Sequence, residues 1–390
     1  MDRILIFTGK GGVGKTSIAA AHARKSAQEG KKTLLFSADM AHNLSDLFGM
    51  KIGREETKIA INLYALEADP EYMMEHEYRD MVRAVENLLN SAGMEINGAN
   101  EIFSIAGFPG IGELFSLLKI LDLYECGGYD RLIIDCAPTG ETLALLKFPE
   151  LLCWYMEKFF PIGKLAMRVL SPVSRALLKI ELPDKKAMTD IERLYVKLVE
   201  LQNLLKNDVI TTVRIVALPE KMVVEETRRN YMYLNLYGYY VDGVYINRVL
   251  PETIDNQFFE GWRMLQKKYL EELAEVFREL PVIRIPWYEK ELCTMESLDR
   301  ICREVLEGRP VFEIQKHQGG ELYEKTEEGY LLKLFVPCVC KEDLNLYQSE
   351  GNIIIKVGNF KRNIPLPDTL RKYDISKAKQ NEDTLEIYFS

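Results

Sequence analysis

The residues with the clearest chemistry stand near the N-terminus. Gly9-Lys10-Gly11-Gly12-Val13-Gly14-Lys15-Thr16 fits the spacing G-x-x-x-x-G-K-[ST], directly after a short apolar run and before a helical run that starts near Ser17. Glycines in that pattern let successive backbone N–H groups turn toward phosphate oxygens at a helix N-terminus. Lys15 then meets the β- and γ-phosphates, and the Thr16 hydroxyl completes a magnesium shell. The same residues also satisfy G-x-G-x-x-G through Gly9, Gly11 and Gly14, the pattern of a dinucleotide site, with Asp39 as the ribose-binding acid. Lys15-Thr16 decides against that rival, because a dinucleotide turn brings pyrophosphate against backbone and needs no Lys-Thr pair. A second discriminator is Leu132-Ile133-Ile134-Asp135, a run that delivers an acid to the sheet edge where a phosphate-bound magnesium sits.

Such a loop needs a strand before it and a helix after it. Ile4 to Thr8, Thr33 to Ser37, Arg131 to Asp135, Val213 to Leu218, Val241 to Asn247 and Val282 to Pro286 are apolar runs bounded by Gly, Asp, Asn or Pro. Several are continuous rather than alternating, as strands buried on both faces are. Helical patterns lie between them, so the expected fold is α/β, a doubly wound, mostly parallel sheet with helices on both faces. Residues 69–124 and 143–208 are too long for simple crossovers and read as an inserted helical subdomain. Residues 311–329 read as a linker or exposed hairpin. Tyr330 to Val336, Asn352 to Val357 and Thr384 to Phe389 then read as strands of a small all-β domain, 330–390, behind a domain spanning 1–310.

Composition bounds the partners. Lys+Arg 50 against Asp+Glu 59 gives a net charge of −9, which argues against a nucleic-acid surface. No uncharged apolar run approaches the ~18 residues of a membrane-spanning helix, and the N-terminal apolar run lacks the features of a secretory signal. Seven dispersed cysteines argue against a disulfide framework. The expectation is a soluble, cytoplasmic protein.

With these motifs in hand, the chain resembles the ArsA and guided-entry (tail-anchored protein targeting) ATPase family. Gly9 to Thr16 looks like its deviant Walker A loop, with the additional early Lys10. Ser37 to Asp46 resembles switch I, Asp135 to Gly140 resembles switch II, Tyr245-Ile246-Asn247-Arg248 resembles the adenine-reading strand end, and Pro219-Glu220 through Glu226-Thr227 matches a further segment. The resemblance covers residues 1 to 310. It implies a homodimeric ATPase binding ATP or ADP with Mg2+, in which Gly9 to Thr16 and Ser17 hold the phosphates. Lys10 reaches the partner's nucleotide, Asp39 orients the attacking water, Thr16 and Asp135 hold magnesium, and Asn247 and Pro286 meet the adenine. Glu226 lies near the nucleotide, and His42, Pro138, Thr139 and Gly140 belong to the switches. Plainer roles stay open at three of these: a solvated surface lysine for Lys10, a helix N-cap for Asp39 and a solvated helix acid for Glu226. Met40 replaces the proline usual after the switch aspartate, and Glu141 stands where many relatives carry histidine.

Two couplings are in play. In the arsenical-pump branch the effector is a soft metalloid held by converging thiolates, but Cys126, Cys136, Cys153, Cys293 and Cys302 are isolated in sequence. In the targeting branch paired helical subdomains hold a hydrophobic client helix, and Leu151 to Leu178, rich in aromatics and methionine, suits such a groove as well as it suits a core. The implied partners are a second copy and a hydrophobic protein or membrane-protein client, with peripheral membrane contact. A slowly turning nucleotide-gated holdase is the remaining alternative. The targeting family's zinc C-x-x-C pair is absent from residues 1 to 310. Cys338-Val339-Cys340 would put both thiols on one face if it lay on a strand. The tail resembles an α-crystallin-type (small heat-shock) sandwich, by Tyr330 to Pro337, Lys341 to Leu344, Asn352 to Val357, Arg362 to Pro367 and Leu385 to Ile387 in order.

Overall fold

The apolar runs become strands of one eight-stranded sheet in a computed structural model. It describes residues 1–39, 43–91, 111–137, 146, 190–254, 256–314, 321–327, 329–349, 351–367 and 369–390. The strands are β1 (Arg3–Thr8), β2 (Thr33–Ser37), β3 (Thr57–Ala60), β4 (Leu63–Glu67), β5 (Arg131–Asp135), β6 (Thr211–Ala217), β7 (Val241–Val249) and β8 (Val282–Pro286), in the order β3-β4-β2-β5-β1-β6-β7-β8. Every residue of β1, β2 and β6 is buried, which is why these strands read as unbroken apolar runs. β3 and β4 were not among the expected strands. β3 pairs antiparallel with β4 and closes that edge.

The chain forms two compact units. In the first, Met1–Ile4 with Thr16–Ile210 and Cys293–Asp299, β4, β2 and β5 pair in parallel. The helices are α1 (Lys15–Gln28, whose first residue belongs to the second unit), α2 (Asn43–Phe48), α3 (Arg79–Ser91), α4 (Ile111–Cys126) and α5 (Asp190–Leu205). α5 packs on α3 and α4, and Leu194, Leu198 and Leu201 of α5 and Leu114, Leu117 and Leu118 of α4 are buried. Most of residues 143–208, including Leu151 to Leu178, lies outside the described residues.

The second unit is Leu5–Lys15, Thr211–Leu292 and Arg300–Ser390. Here β6, β7 and β8 pair in parallel, with α6 (Lys221–Leu236) and α7 (Gln257–Val276) as crossovers. The tail follows as β9 (Glu321–Lys325), β10 (Tyr330–Phe335), β11 (Leu344–Ser349), β12 (Asn352–Val357), β13 (Phe360–Pro365), β14 (Ile375–Asn381) and β15 (Thr384–Phe389). They form two antiparallel sheets, β14-β15-β10-β9 and β11-β12-β13. β15 alternates buried and half-buried residues, and Leu332, Ile353, Ile355 and Ile387 are fully buried, the period-2 pattern of a sheet with one covered face. β9, inside the stretch read as linker or hairpin, pairs with β10.

The tail is docked, not trailing. Tyr237 Oη donates to the Lys361 carbonyl at 2.6 Å, buried Arg362 donates to the Leu236 carbonyl and to Glu321, and Phe360 meets Tyr233 edge-on. Deeper in this unit, Arg214 pairs with Asp242 at 3.1 Å, both side chains almost wholly buried. Arg214 also donates to Tyr245 Oη at 3.2 Å and to the Val311 carbonyl. Burial works against its charge, but Asp242 and Tyr245 outweigh that and hold the guanidinium above its ordinary pKa. Burial pushes Tyr245 up to about 12, so it stays a neutral phenol.

Breaking one half of this pair should cost more than removing both. Asp242→Asn, which strands the Arg214 charge, is expected to lower stability by about 3–5 kcal/mol in urea unfolding. Asp242→Leu combined with Arg214→Met is expected to recover most of that loss.

Candidate functional site

The loop after β1 is shaped by what presses on it. Gly9 has φ +152°, and a Cβ there would lie 2.2 Å from the Val216 carbonyl oxygen, so β6 passes too close for any side chain. Gly14 has φ +93°, and its Cβ would lie 2.4 Å from Asn247 Nδ2. Val13 between them is fully buried, while Gly11 and Gly12 are exposed. Lys15 begins α1 and is buried, its ammonium donating to the Lys10 carbonyl at 3.5 Å. Thr16 and Ser17 follow, half-buried, in the first turn of a 14-residue helix. Exposed glycines before a helix start, beside a lysine folded back on the loop, fit a phosphate cradle.

Asn247 sits at 3% exposure near the end of β7. Its Nδ2 donates to the Val13 carbonyl at 2.9 Å, and its Oδ1 accepts from Arg248 N at 2.9 Å. Arg248 takes φ +54° to make that bond possible. The side chain predicted to read a base therefore also braces the loop, with one N–H and one lone pair left in its inventory. Pro286 ends β8 opposite Val249 in the parallel register, so Asn247 and Pro286 stand at the ends of neighbouring strands. Lys10 Nζ lies 3.8 Å from Glu226 Oε2 of α6, both about a third exposed. Lys10 has an acidic partner within its own chain.

In the first unit, Asp135 is fully buried at the end of β5, and Ser37 is its neighbour in register. Ala38 N donates to the Asp135 carbonyl at 2.9 Å, so the segments carrying Asp39 and Asp135 leave the sheet side by side. Asp39 is half-buried, and its N–H meets Ser37 Oγ at 3.3 Å. His42, Pro138, Thr139 and Gly140 lie outside the described residues.

Glu67, at the end of β4, was not foreseen. It is 1% exposed, and its carboxylate accepts from Leu44 N at 2.8 Å, Ser45 N at 3.1 Å and Ser45 Oγ at 3.1 Å. It thus satisfies N-terminal amides of α2, which begins inside the segment that resembles switch I. Its signal in the sequence is an acid closing the run Leu63 to Leu66, too short to stand out as a strand. Cys338 and Cys340, by contrast, do not share a strand face. They follow β10 in a turn with Cys338 at φ +61°, where burial pushes the Cys338 thiol up to about 11, away from the thiolate a metal needs.

A glycine loop of this spacing between β1 and α1, with a buried lysine opening the helix, defines a P-loop nucleotide hydrolase. Residues 2–307 match the ArsA-type family of anion-transporting ATPases, and residues 327–389 match an HSP20-like domain found in ArsA. A protein named arsenical pump-driving ATPase 1, from Aquifex aeolicus, is 35% identical over 398 residues, covering 100% of both chains. A protein named arsenical pump-driving ATPase, from Chlorobaculum tepidum, is 34% identical over 390 residues, covering 99% of this chain and 96% of its own. The protein named ATPase GET3 of Chaetomium globosum is 31% identical over 315 residues, 76% of this chain and 88% of its own. The chain belongs to the ArsA family of anion-transporting ATPases and is an ATP hydrolase.

If Asn247 acts first through the loop, Asn247→Ala leaves the buried Val13 carbonyl without its donor, a loss of about 1–2 kcal/mol. The expected result is a roughly tenfold weaker affinity shared by ATP and GTP, measured by calorimetric titration. A loss confined to ATP would mean that base reading is its whole role.

Proposed function

We propose that the chain works as a nucleotide-switched homodimer that hydrolyses Mg2+-bound ATP and uses the cycle to bind or target exposed hydrophobic protein segments. The observation that carries the hydrolytic part is the loop itself: Lys15 buried at the start of α1, with exposed glycines before it. In this reading the amides of Gly11 to Lys15, with Gly9, Val13, Thr16 and Ser17 completing the cradle, bind the phosphates, and Lys15 neutralises charge on the β- and γ-oxygens. Thr16 and Asp135 are the oxygen donors for magnesium. Two such donors suit an ion that completes its shell with water and phosphate, and among the described residues no cluster of three or more His, Cys, Asp or Glu offers a protein cage instead. When bound, magnesium draws charge off the β- and γ-phosphates. Asp39 orients a water whose oxygen attacks the γ-phosphorus. The bond to the bridging oxygen breaks, ADP leaves with the electron pair, and the water's protons end on phosphate and solvent. Lys10 stabilises that charge in the partner's site, Asn247 and Pro286 hold the adenine, and Glu226 tunes the position of Lys10. His42, Pro138, Thr139 and Gly140 convert loss of the γ-phosphate into motion.

Domain roles follow the same reading: an ATPase domain over 1–310 with inserted helices near 69–124 and 143–208, residues 311–329 as connection, and a β-sandwich over 330–390. The HSP20-like match of the tail supports a client that is unfolded or apolar protein, by analogy of fold. A cytoplasmic location is the setting this reading needs. Among the described residues no helix is long and apolar enough to cross a membrane, so contact with a membrane would be peripheral. The second reading, coupling to arsenite or antimonite efflux, is favoured by the names of the full-length relatives.

Lys15→Ala is expected to abolish phosphate release, and Asp39→Asn to slow it at least 100-fold while ATP affinity stays within twofold. Full activity in Asp39→Asn would remove its assigned role. Phosphate release by the wild-type chain, measured with antimonite and separately with a tail-anchor peptide, distinguishes the couplings, since only the true effector stimulates it. Negligible turnover with both would favour the holdase.

A further inference from the structure

Residues 38–42 join β2 to α2 and carry Asp39. The start of this connection is fixed by main chain on both flanks. Ser37, the last residue of β2, is fully buried and lies in register with Glu67 of β4 on one side and Asp135 of β5 on the other. The Ala68 N–H donates to the Ser37 carbonyl and the Ala38 N–H to the Asp135 carbonyl, each at 2.9 Å. Ser37 Oγ then accepts from the Asp39 N–H at 3.3 Å.

The other end has no such ladder. α2 has six residues, fewer than two turns, and a helix that short does not hold itself. The Leu44 and Ser45 N–H groups that meet Glu67 at 2.8 and 3.1 Å are the second and third of the helix. A serine, threonine, aspartate or asparagine just before a helix ordinarily caps those two amides. Here that position is His42, which is none of these. The cap comes instead from a carboxylate on another strand, 23 and 22 positions further along the chain. Glu67 also accepts from Ser45 Oγ, which in turn accepts from the Ile52 N–H at 3.1 Å, and its own N–H donates to the Gly53 carbonyl at 2.9 Å. One residue thus grips α2 at its start and the chain just after it.

Burying a carboxylate to 1% exposure is unfavourable unless hydrogen bonds meet it. A local polar side chain would satisfy the same amides without that penalty, but it would leave α2 untied from the sheet. What the distant acid adds is position, through N–H bonds roughly twice as strong as those to a neutral acceptor. It ties the far end of the Asp39 connection to the strand that flanks its beginning.

We infer that Glu67 is a positioning residue for ATP hydrolysis, acting through Asp39 by fixing the far end of the segment that carries it. The inference rests on the reading above of Asp39 as the group that orients the attacking water. An orienting group displaced by about 1 Å slows a reaction on the order of 100-fold. The phosphate loop is untouched by such a displacement.

Steady-state phosphate release by the full chain, at a temperature below the thermal midpoint of every variant, tests it. Glu67→Ala is expected to lower kcat about 100-fold and to leave the KM for ATP within about twofold, the pattern of a loss felt only in the transition state. Glu67→Gln keeps an oxygen for the two amides and an NH2 for Ser45 Oγ, so kcat is expected to return to within about fivefold of wild type. Ser45→Ala, which removes only the hydroxyl contacts, is expected to fall between them. In the Asp39→Asn background Glu67→Ala is expected to cost less than about threefold more, because residues that act as a unit are not additive. A purely structural acid would instead lower the thermal midpoint, leave kcat alone and overturn the inference. A Gln variant as slow as the Ala variant, or losses that multiply in the double variant, also overturns it, and each of these results leaves Asp39 its role. Should Glu67→Ala not fold, a wild-type kcat in Ser45→Ala overturns it by itself. Full activity in Asp39→Asn removes the reading of Asp39 and this inference together.

Discussion

A phosphate loop is a turn whose amides point at a ligand instead of at each other, so it cannot hold its own shape. Here the holding is done by strands far away in sequence. β6 presses its Val216 carbonyl against Gly9, and β7 sends Asn247 to the Val13 carbonyl. At Gly9 an added methyl would meet the Val216 carbonyl oxygen at 2.2 Å, and at Gly14 the Asn247 amide nitrogen at 2.4 Å. The cost of positive φ in an ordinary residue, about 1–2 kcal/mol, is the smaller part of the constraint. The larger part is steric, because a carbonyl in a buried strand cannot step aside.

The same unit carries its rigidity onward through α6. A helix of 16 residues spans about 24 Å. Glu226 in its second turn lies by Lys10, and its last turn receives the tail. The guanidinium of Arg362 donates to the Leu236 carbonyl, one of the final carbonyls that a helix leaves unpaired, and brings positive charge to the negative end of the helix dipole. The Arg214, Asp242 and Tyr245 network fixes the approach to the tail from the other side by holding the Val311 carbonyl. The β domain is thus braced to elements that also border the phosphate loop.

What the sequence revealed depended on how far apart the cooperating residues lie. Strands such as Thr33–Ser37 and Arg131–Asp135 were legible because burial on both faces leaves an unbroken apolar run, and the loop was legible because its chemistry is local. β14 was not, since Ile375–Asn381 is an edge strand with Lys377 and Lys379 facing water, the charged edge that protects a sheet from further pairing. β4 was hidden by its brevity and by ending on Glu67, whose burial makes sense only once the amides of α2 are seen around it. Asn247 was found as a site residue, but its bond to Val13 crosses 234 positions and leaves no trace in spacing. The bond from Arg362 to the Leu236 carbonyl crosses 126 positions and is equally invisible in spacing.

In the proposed homodimer, Lys10 would pair within its own chain and also act on the partner's nucleotide. At 3.8 Å and about a third exposed, its bond with Glu226 belongs to the class of ion pairs worth about 0–1 kcal/mol. A triphosphate concentrates several negative charges where Glu226 offers one, and a closed site excludes water and strengthens each interaction. Transfer of Lys10 from carboxylate to phosphate is therefore downhill once a nucleotide is in reach. Lys15, meanwhile, occupies the Lys10 carbonyl. A weak pair suits this task better than a strong one, because a lysine held by several kcal/mol would be lost to the partner site.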